Sequence, residues 1–125
     1  MQQQNSPASA WIAPLLSEAL RRIEGRRPLA LHGLQAGGKA WLLAELAGRI
    51  PAPLVVLCDS LRRAEELLED LIFCAGPRPV HLFPHWDTVP YDAFSPNKEV
   101  MAQRLQTLSA LLRGAAPLVV TTPQA

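Results

Sequence analysis

Residues 33–40 read Gly33-Leu34-Gln35-Ala36-Gly37-Gly38-Lys39-Ala40. Set against the pattern G-x-x-x-x-G-K-[S/T], Gly33, Gly38 and Lys39 match and the last position does not. Each matching residue has a physical reason to be there. Glycines let a loop turn its N–H groups inward toward phosphate oxygens. The start of the helix that follows adds partial positive charge at the same place. A lysine ammonium reaches the β- and γ-phosphates, and the closing serine or threonine hydroxyl would hold Mg²⁺. Ala40 has no oxygen to offer, so the metal ligand is missing and both nucleotide binding and catalysis should be weakened.

Hydrolysis also needs an acidic residue at the end of a second strand. Asp59 ends an apolar run, but no glutamate follows it. Three readings of the 33–40 stretch follow, in falling order of support: a vestigial phosphate loop, a weak nucleotide or anion site on Gly33, Gly38 and Lys39, and an active ATPase. A glycine turn that merely packs a helix would satisfy the same letters. The placement between a strand and a helix raises the motif above a bare match.

A second stretch, His81 to Pro96, gathers Trp86, Tyr91 and Phe94. Aromatic rings can stack on bases, yet Asp87 and Asp92 lie among these and no lysine or arginine does. Packing of the aromatics onto the sheet edge is therefore the favoured reading. His81, His85, Asp87 and Asp92 fit no zinc spacing. His32, beside Gly33, could meet an anion when protonated, but a histidine in that place more often simply ends a strand. Ser17, Ser60, Ser95 and Ser109 stand in no nucleophile-elbow context. Cys58 and Cys74 are too far apart in sequence for a C-x-x-C pair and read as idle thiols of a reducing compartment.

The elements that would carry these residues follow from apolar spacing. Residues 1–9 read as a polar, disordered tail. Trp11, Leu15, Leu16, Ala19, Leu20 and Ile23 repeat at three and four, which predicts a helix over 10–24 closed by Gly25. Residues 29–34 are a strand candidate. A helix over 39–50 places Leu43, Leu46, Ala47 and Ile50 on one face and pairs Glu45 with Arg49 on the other. Residues 54–57 form a continuous apolar run, as in a strand covered on both faces. Asp59-Ser60 caps a helix to about residue 73, with Leu61, Ala64, Leu68, Leu71 and Ile72 on its stripe and Gly76-Pro77 beyond its end. A strand over 80–83, a helix started by Ser95-Pro96 and closed by Gly114, and a strand over 118–121 complete the order. Met101, Leu105, Leu108 and Leu112 give that last helix its period. Alternating helices and strands predict a parallel sheet with right-handed crossovers.

Composition sets the bounds. The 125 residues are 49% apolar and 18% charged, with a formal net charge of +1. That allows one modest core and gives no basic excess for nucleic acid or a membrane surface. The short basic pairs at 21–22 and 26–27 suit a solvated helix end. No apolar run approaches about 18 residues and the first residues lack a signal-peptide order, so a cytoplasmic protein is expected, with no membrane partner. The twelve prolines mostly punctuate the apolar runs.

The run Phe83-Pro84-His85-Trp86-Asp87-Thr88-Val89-Pro90-Tyr91-Asp92-Ala93-Phe94-Ser95-Pro96, the helix after it, and the strand ending in Thr121-Thr122-Pro123-Gln124-Ala125 resemble the N-terminal region of the bacterial transcription-repair coupling factors (Mfd). The resemblance also takes in the loop at 33–40 and spans residues 10–125. It implies an incomplete α/β domain of the P-loop NTPase type, similar to the first domain of the excision-repair helicase UvrB, with a parallel sheet and flanking helices. Two departures from UvrB are plain. Ala40 replaces the hydroxyl residue, and Ser95-Pro96 leaves no room for a long DNA-probing hairpin before the helix.

The resemblance further implies a structural rather than enzymatic role for this segment. No cofactor is expected here; ATP and Mg²⁺ belong to a motor elsewhere in the full-length protein. The expected partners are the remaining domains of that protein, with UvrA, RNA polymerase and DNA engaged through them. The sheet is expected to continue past Ala125, leaving an edge through which the chain could self-associate. A functional nucleotide-binding domain of a helicase or ATPase is the alternative, and a pure nucleic-acid-binding module is disfavoured by the charge.

Overall fold

The computed structural model describes residues 7–86 and 97–125. The chain divides into two compact units, the first ending at Gln35 and the second running Ala36–Ala125.

The first unit is one helix, α1 (Pro7–Glu24), and the segment after it. The helix begins inside the stretch expected to be a tail. Proline is well placed there, since the first turn has no use for its missing N–H. Pro14, further in, cannot donate to the carbonyl one turn back. Glu18 is forked by two arginines, at 2.6 Å from Arg21 and 2.7 Å from Arg22. The helix ends at Glu24, as the sequence suggests, but the turn that follows is not made by Gly25. Arg26, not Gly25, takes the left-handed conformation (φ 52°), and the Arg27 N–H reaches back to the Arg22 carbonyl at 2.8 Å. The strand expected over 29–34 is not formed: these residues have no strand conformation. A strand exists only by its ladder, and among the described residues no backbone partner is recorded for this run.

The second unit holds α2 (Ala36–Arg49), β1 (Leu54–Leu57), α3 (Leu61–Cys74), β2 (Val80–Phe83), α4 (Lys98–Leu112) and β3 (Leu118–Thr121). The three strands make a parallel sheet in the order β1-β3-β2. The α/β class, parallel pairing and flanking helices expected from the sequence are therefore present, with three strands among the described residues where four were expected. The last strand in sequence lies in the middle. Its residues Leu118 to Thr121 are all buried, which is what a continuous apolar run needs on both faces.

Register assigns the faces. Leu54, Leu118 and Val80 lie side by side, as do Val56, Val120 and Leu82. These rows pack with Ala64 and Leu71 of α3 and Ala40 and Ala47 of α2 in one apolar core. The alternate rows, Val55-Val119-His81 and Leu57-Thr121-Phe83, face the other way, toward α4. The chain moves outward past β3 through α3 and returns through α4, so right-handed crossovers require the two helices on opposite faces.

Two expectations change here. β1 is not covered on both faces: Leu54 and Val56 are half-buried while Val55 and Leu57 are exposed, because β1 is an edge strand beyond the reach of α4. The stripe Met101, Leu105, Leu108 and Leu112, which gave α4 its period, is exposed. The buried residues of α4 are Thr107 and Ala110, and the Thr107 hydroxyl donates to the Gln103 carbonyl at 3.0 Å. Ile72, expected on the buried stripe of α3, is exposed as well.

The helix ends follow local chemistry. The Ser60 hydroxyl accepts from the Arg63 N–H at the start of α3, as anticipated. α4 is capped by Asn97, whose side-chain oxygen accepts from the Glu99 N–H at 2.9 Å; the expected Ser95-Pro96 start lies outside the described residues. Gly114 closes α4 with φ 71°, a conformation a side chain would resist, and lets the Ala115 N–H reach the Ala110 carbonyl. Arg78 ties the approach to β2 to the approach to β1, donating to the carbonyls of Ile50 (3.2 Å) and Ala52 (2.8 Å).

Candidate functional site

The motif residues fall in different units. Gly33 lies in the first, with φ 81° and open space around it. Gly38 and Lys39 lie in the second, exposed, in the first turn of α2. No acidic residue occupies that turn, so its N–H groups and the lysine ammonium form a positive end.

The position that should carry the metal-binding hydroxyl behaves differently from its neighbours. Ala40 has no exposed surface; its methyl is part of the core with Ala47, Ala64 and Leu71. Helical geometry explains the contrast. Residues 39 and 40 are separated by about 100° around the axis, so one turns to solvent and the next to the sheet. An alanine here adds to the apolar core, whereas a hydroxyl would have to be buried.

The carboxyl end of β1 carries the other residues weighed for this site. The Cys58 N–H donates to the Thr121 carbonyl at 2.8 Å, extending the ladder by a step. Burial pushes the Cys58 thiol above its ordinary range and the Asp59 carboxylate adds to that, while Lys39 and Arg63 oppose it. Asp59, the only acidic residue at a strand end considered above, is paired with Arg63 at 2.8 Å on the surface. The Thr122 hydroxyl, just past β3, is buried and has no hydrogen-bond partner among the described residues.

The aromatic stretch gains a cation that the local sequence does not contain. Arg104 of α4 lies over the Phe83 ring (4.0 Å to the centroid) and over the Trp86 ring (4.6 Å), and its guanidinium donates to the Pro84 carbonyl. Trp86 keeps 45% of its surface exposed beneath Arg104, so it is not buried against the sheet edge as the sequence reading favoured. Arg104 was missed because it is 20 residues from Pro84 in the chain, with no local spacing to announce it. Asp87, Tyr91, Asp92 and Phe94 lie outside the described residues, and with them half of the His81-His85-Asp87-Asp92 group. Among the described residues no group of three or more His, Cys, Asp and Glu could hold a metal ion. A crevice of about 180 Å³ between Leu61, Glu65, Leu82, Pro84, Asn97, Glu99, Val100 and Gln103 is smaller than the roughly 300–1,000 Å³ of ordinary ligand pockets.

No family model matches the chain. Curated proteins do. The transcription-repair-coupling factor of Escherichia coli is 33% identical over 81 residues, covering 65% of this chain and 7% of its own length. That of Bacillus subtilis is 28% identical over 97 residues, covering 78% of this chain and 8% of its own. The chain is related to the transcription-repair coupling factors. The Haemophilus influenzae transcription-repair-coupling factor repeats the match at 35% over 78 residues, 62% of this chain and 7% of that protein. The chain thus spans less than a tenth of the length of these relatives. Among the described residues no helix is long and apolar enough to cross a membrane.

Proposed function

We propose that this chain is an N-terminal structural module of a cytoplasmic transcription-repair coupling factor. In the full-length protein it helps to position the UvrA-recruiting module during transcription-coupled nucleotide excision repair. The observation that carries the reading is the repeated similarity to transcription-repair coupling factors from separate bacteria. UvrA, RNA polymerase and DNA are engaged through other domains, and ATP with Mg²⁺ serves a motor outside this segment. The degenerate phosphate loop fits the role: Gly33, Gly38 and Lys39 remain, while the hydroxyl position is a buried alanine, so ATP hydrolysis here is not expected.

The second reading, a functional nucleotide-binding domain of a helicase or ATPase, draws its support from the exposed Lys39 on the first turn of α2. Calorimetric titration of ATP, with and without Mg²⁺, into the chain and into Lys39→Ala separates the two. Absence of heat in every case supports the scaffold; binding that disappears in Lys39→Ala supports the nucleotide site. The positioning role is tested in the full-length protein by exchanging residues 36–125 for a flexible linker. UvrA recruitment should weaken while ATP turnover by the motor persists, and unchanged recruitment would remove the role.

A further inference from the structure

We propose that the crevice at the carboxyl end of β2 seats one arginine or lysine side chain, carried by an extended basic segment of a partner protein that lies along the free edge of that strand. The crevice joins two chemistries. Leu61 of α3, Leu82 and Pro84 at the end of β2, and Val100 of α4 give it an apolar lining, and Glu65 and Glu99 give it carboxylates. The four apolar residues are buried or half-buried and the two glutamates are exposed, so the apolar groups make the bottom and the carboxylates the mouth.

The place of the crevice in the fold follows from the helices. α3 and α4 lie on opposite faces of the sheet, so residues of both meet only where the sheet stops. Leu82 and Pro84 put that point at β2, which is an edge strand bonded to β3 alone. The outer side of β2 has no ladder among the described residues.

The charge at the mouth is not answered by the chain itself. Among the described residues neither Glu65 nor Glu99 has an ion pair: Arg62 is taken by Glu66, Arg63 by Asp59, and Arg104 lies over Phe83 and Trp86. Lys98 lines no part of the crevice. Residues 87–96, between β2 and α4 in sequence, add Asp87 and Asp92 and no lysine or arginine. The helix dipole accounts for Glu99, in the first turn of α4. It does not account for Glu65, which lies beyond the first turn of α3.

Size and charge select the occupant. A volume of about 180 Å³ is below that of ordinary ligand pockets and suits one long side chain. Arginine and lysine bury an aliphatic stem and keep the charged head at the water, which matches an apolar bottom under a carboxylate mouth. An acidic segment would be repelled there, and an apolar one would cover two carboxylates without pairing them. The open edge supplies the rest. A segment added as a strand gains main-chain hydrogen bonds from β2, and the crevice reads one of its side chains.

The test is proton–nitrogen NMR of the chain titrated with a short valine–threonine peptide that carries one central arginine, and with the same peptide carrying glutamate in that place. The arginine peptide should shift the amide signals of Val80–Phe83 and Val100, and the glutamate peptide should bind at least about tenfold more weakly. Glu65→Gln combined with Glu99→Gln should cut the affinity for the arginine peptide about five- to tenfold at low salt, with the circular dichroism unchanged. The Asn97 cap survives that change because it holds the backbone N–H of residue 99. Glu69→Gln, on α3 but outside the crevice, should leave the affinity where it is. Equal binding of the two peptides overturns the proposal, since it would mean a bare strand edge with no charge selection. An affinity that the double variant leaves unmoved overturns it too, as does an arginine peptide that leaves these signals unshifted at millimolar concentration.

Discussion

Ala40→Ser would restore the letter that the phosphate motif lacks, and the structure indicates what it would cost. The methyl of Ala40 is fully enclosed between α2, α3 and the sheet, so the added hydroxyl enters an apolar core. An unpartnered buried hydroxyl costs about 1–3 kcal/mol in comparable substitutions. The lower helix propensity of serine adds roughly 0.5 kcal/mol. A bond from the hydroxyl to the Ala36 carbonyl one turn back would recover part of this. The net expectation is a loss of about 1–2 kcal/mol. For a unit of this size that moves a urea midpoint down by roughly 0.5–1 M. Lys39→Ala, one residue away but exposed, should leave the midpoint where it is. The assay is urea unfolding followed by circular dichroism, with Mg-ATP titrated into the same samples. An unchanged midpoint in Ala40→Ser together with newly Mg²⁺-dependent ATP binding would refute the reasoning. It would mean that position 40 opens onto a phosphate site instead of the core.

Two further outcomes follow from local chemistry. Arg78→Ala removes donors to the Ile50 and Ala52 carbonyls and should lower stability by about 1–2 kcal/mol in urea unfolding, with Arg78→Lys recovering little because a single ammonium cannot span both acceptors. The Glu18 carboxyl is held below its ordinary range by hydrogen bonds from Arg22 and then Arg21. A depressed carboxylate stabilises α1 above the ordinary carboxylate range, and that support is lost as pH falls through the lowered pKa. Helicity at 222 nm should drop on acidification below pH about 4, and Glu18→Gln should flatten that drop.

How much was legible in the sequence depends on how local the determining interactions are. α3 was readable because Ser60, Ala64 and Leu71 are related by one- and two-turn spacings, and the cap and buried stripe use those spacings directly. β3 was readable as a short apolar run, and it is buried throughout. β1 carries an equally apolar run, yet half of it is exposed, since edge or centre is decided by strand order and not by the run itself. The stripe on α4 was found correctly as a period and assigned no partner; the sheet took the less apolar side instead. At the candidate site, Gly33, Gly38 and Lys39 were visible as letters. That residue 40 points into the core was not, because a motif specifies order along the chain and not the direction a helix turns each residue. Arg104 shows the same limit, being brought to Phe83 and Trp86 only by the fold.

The strand order has a consequence for how the protein is made. β1 and β2 never pair with each other; each bonds only to β3, the last of the three to be synthesised. A nascent chain can therefore form its helices early, but none of the described sheet can zip before Leu118–Thr121 has left the ribosome. Until then two short apolar strands wait, more than 30 residues from their common partner, with their backbone groups unpaired. Those are the conditions in which chaperones bind and aggregation competes, so the arrival of Leu118–Thr121 decides whether the strands made before it can pair.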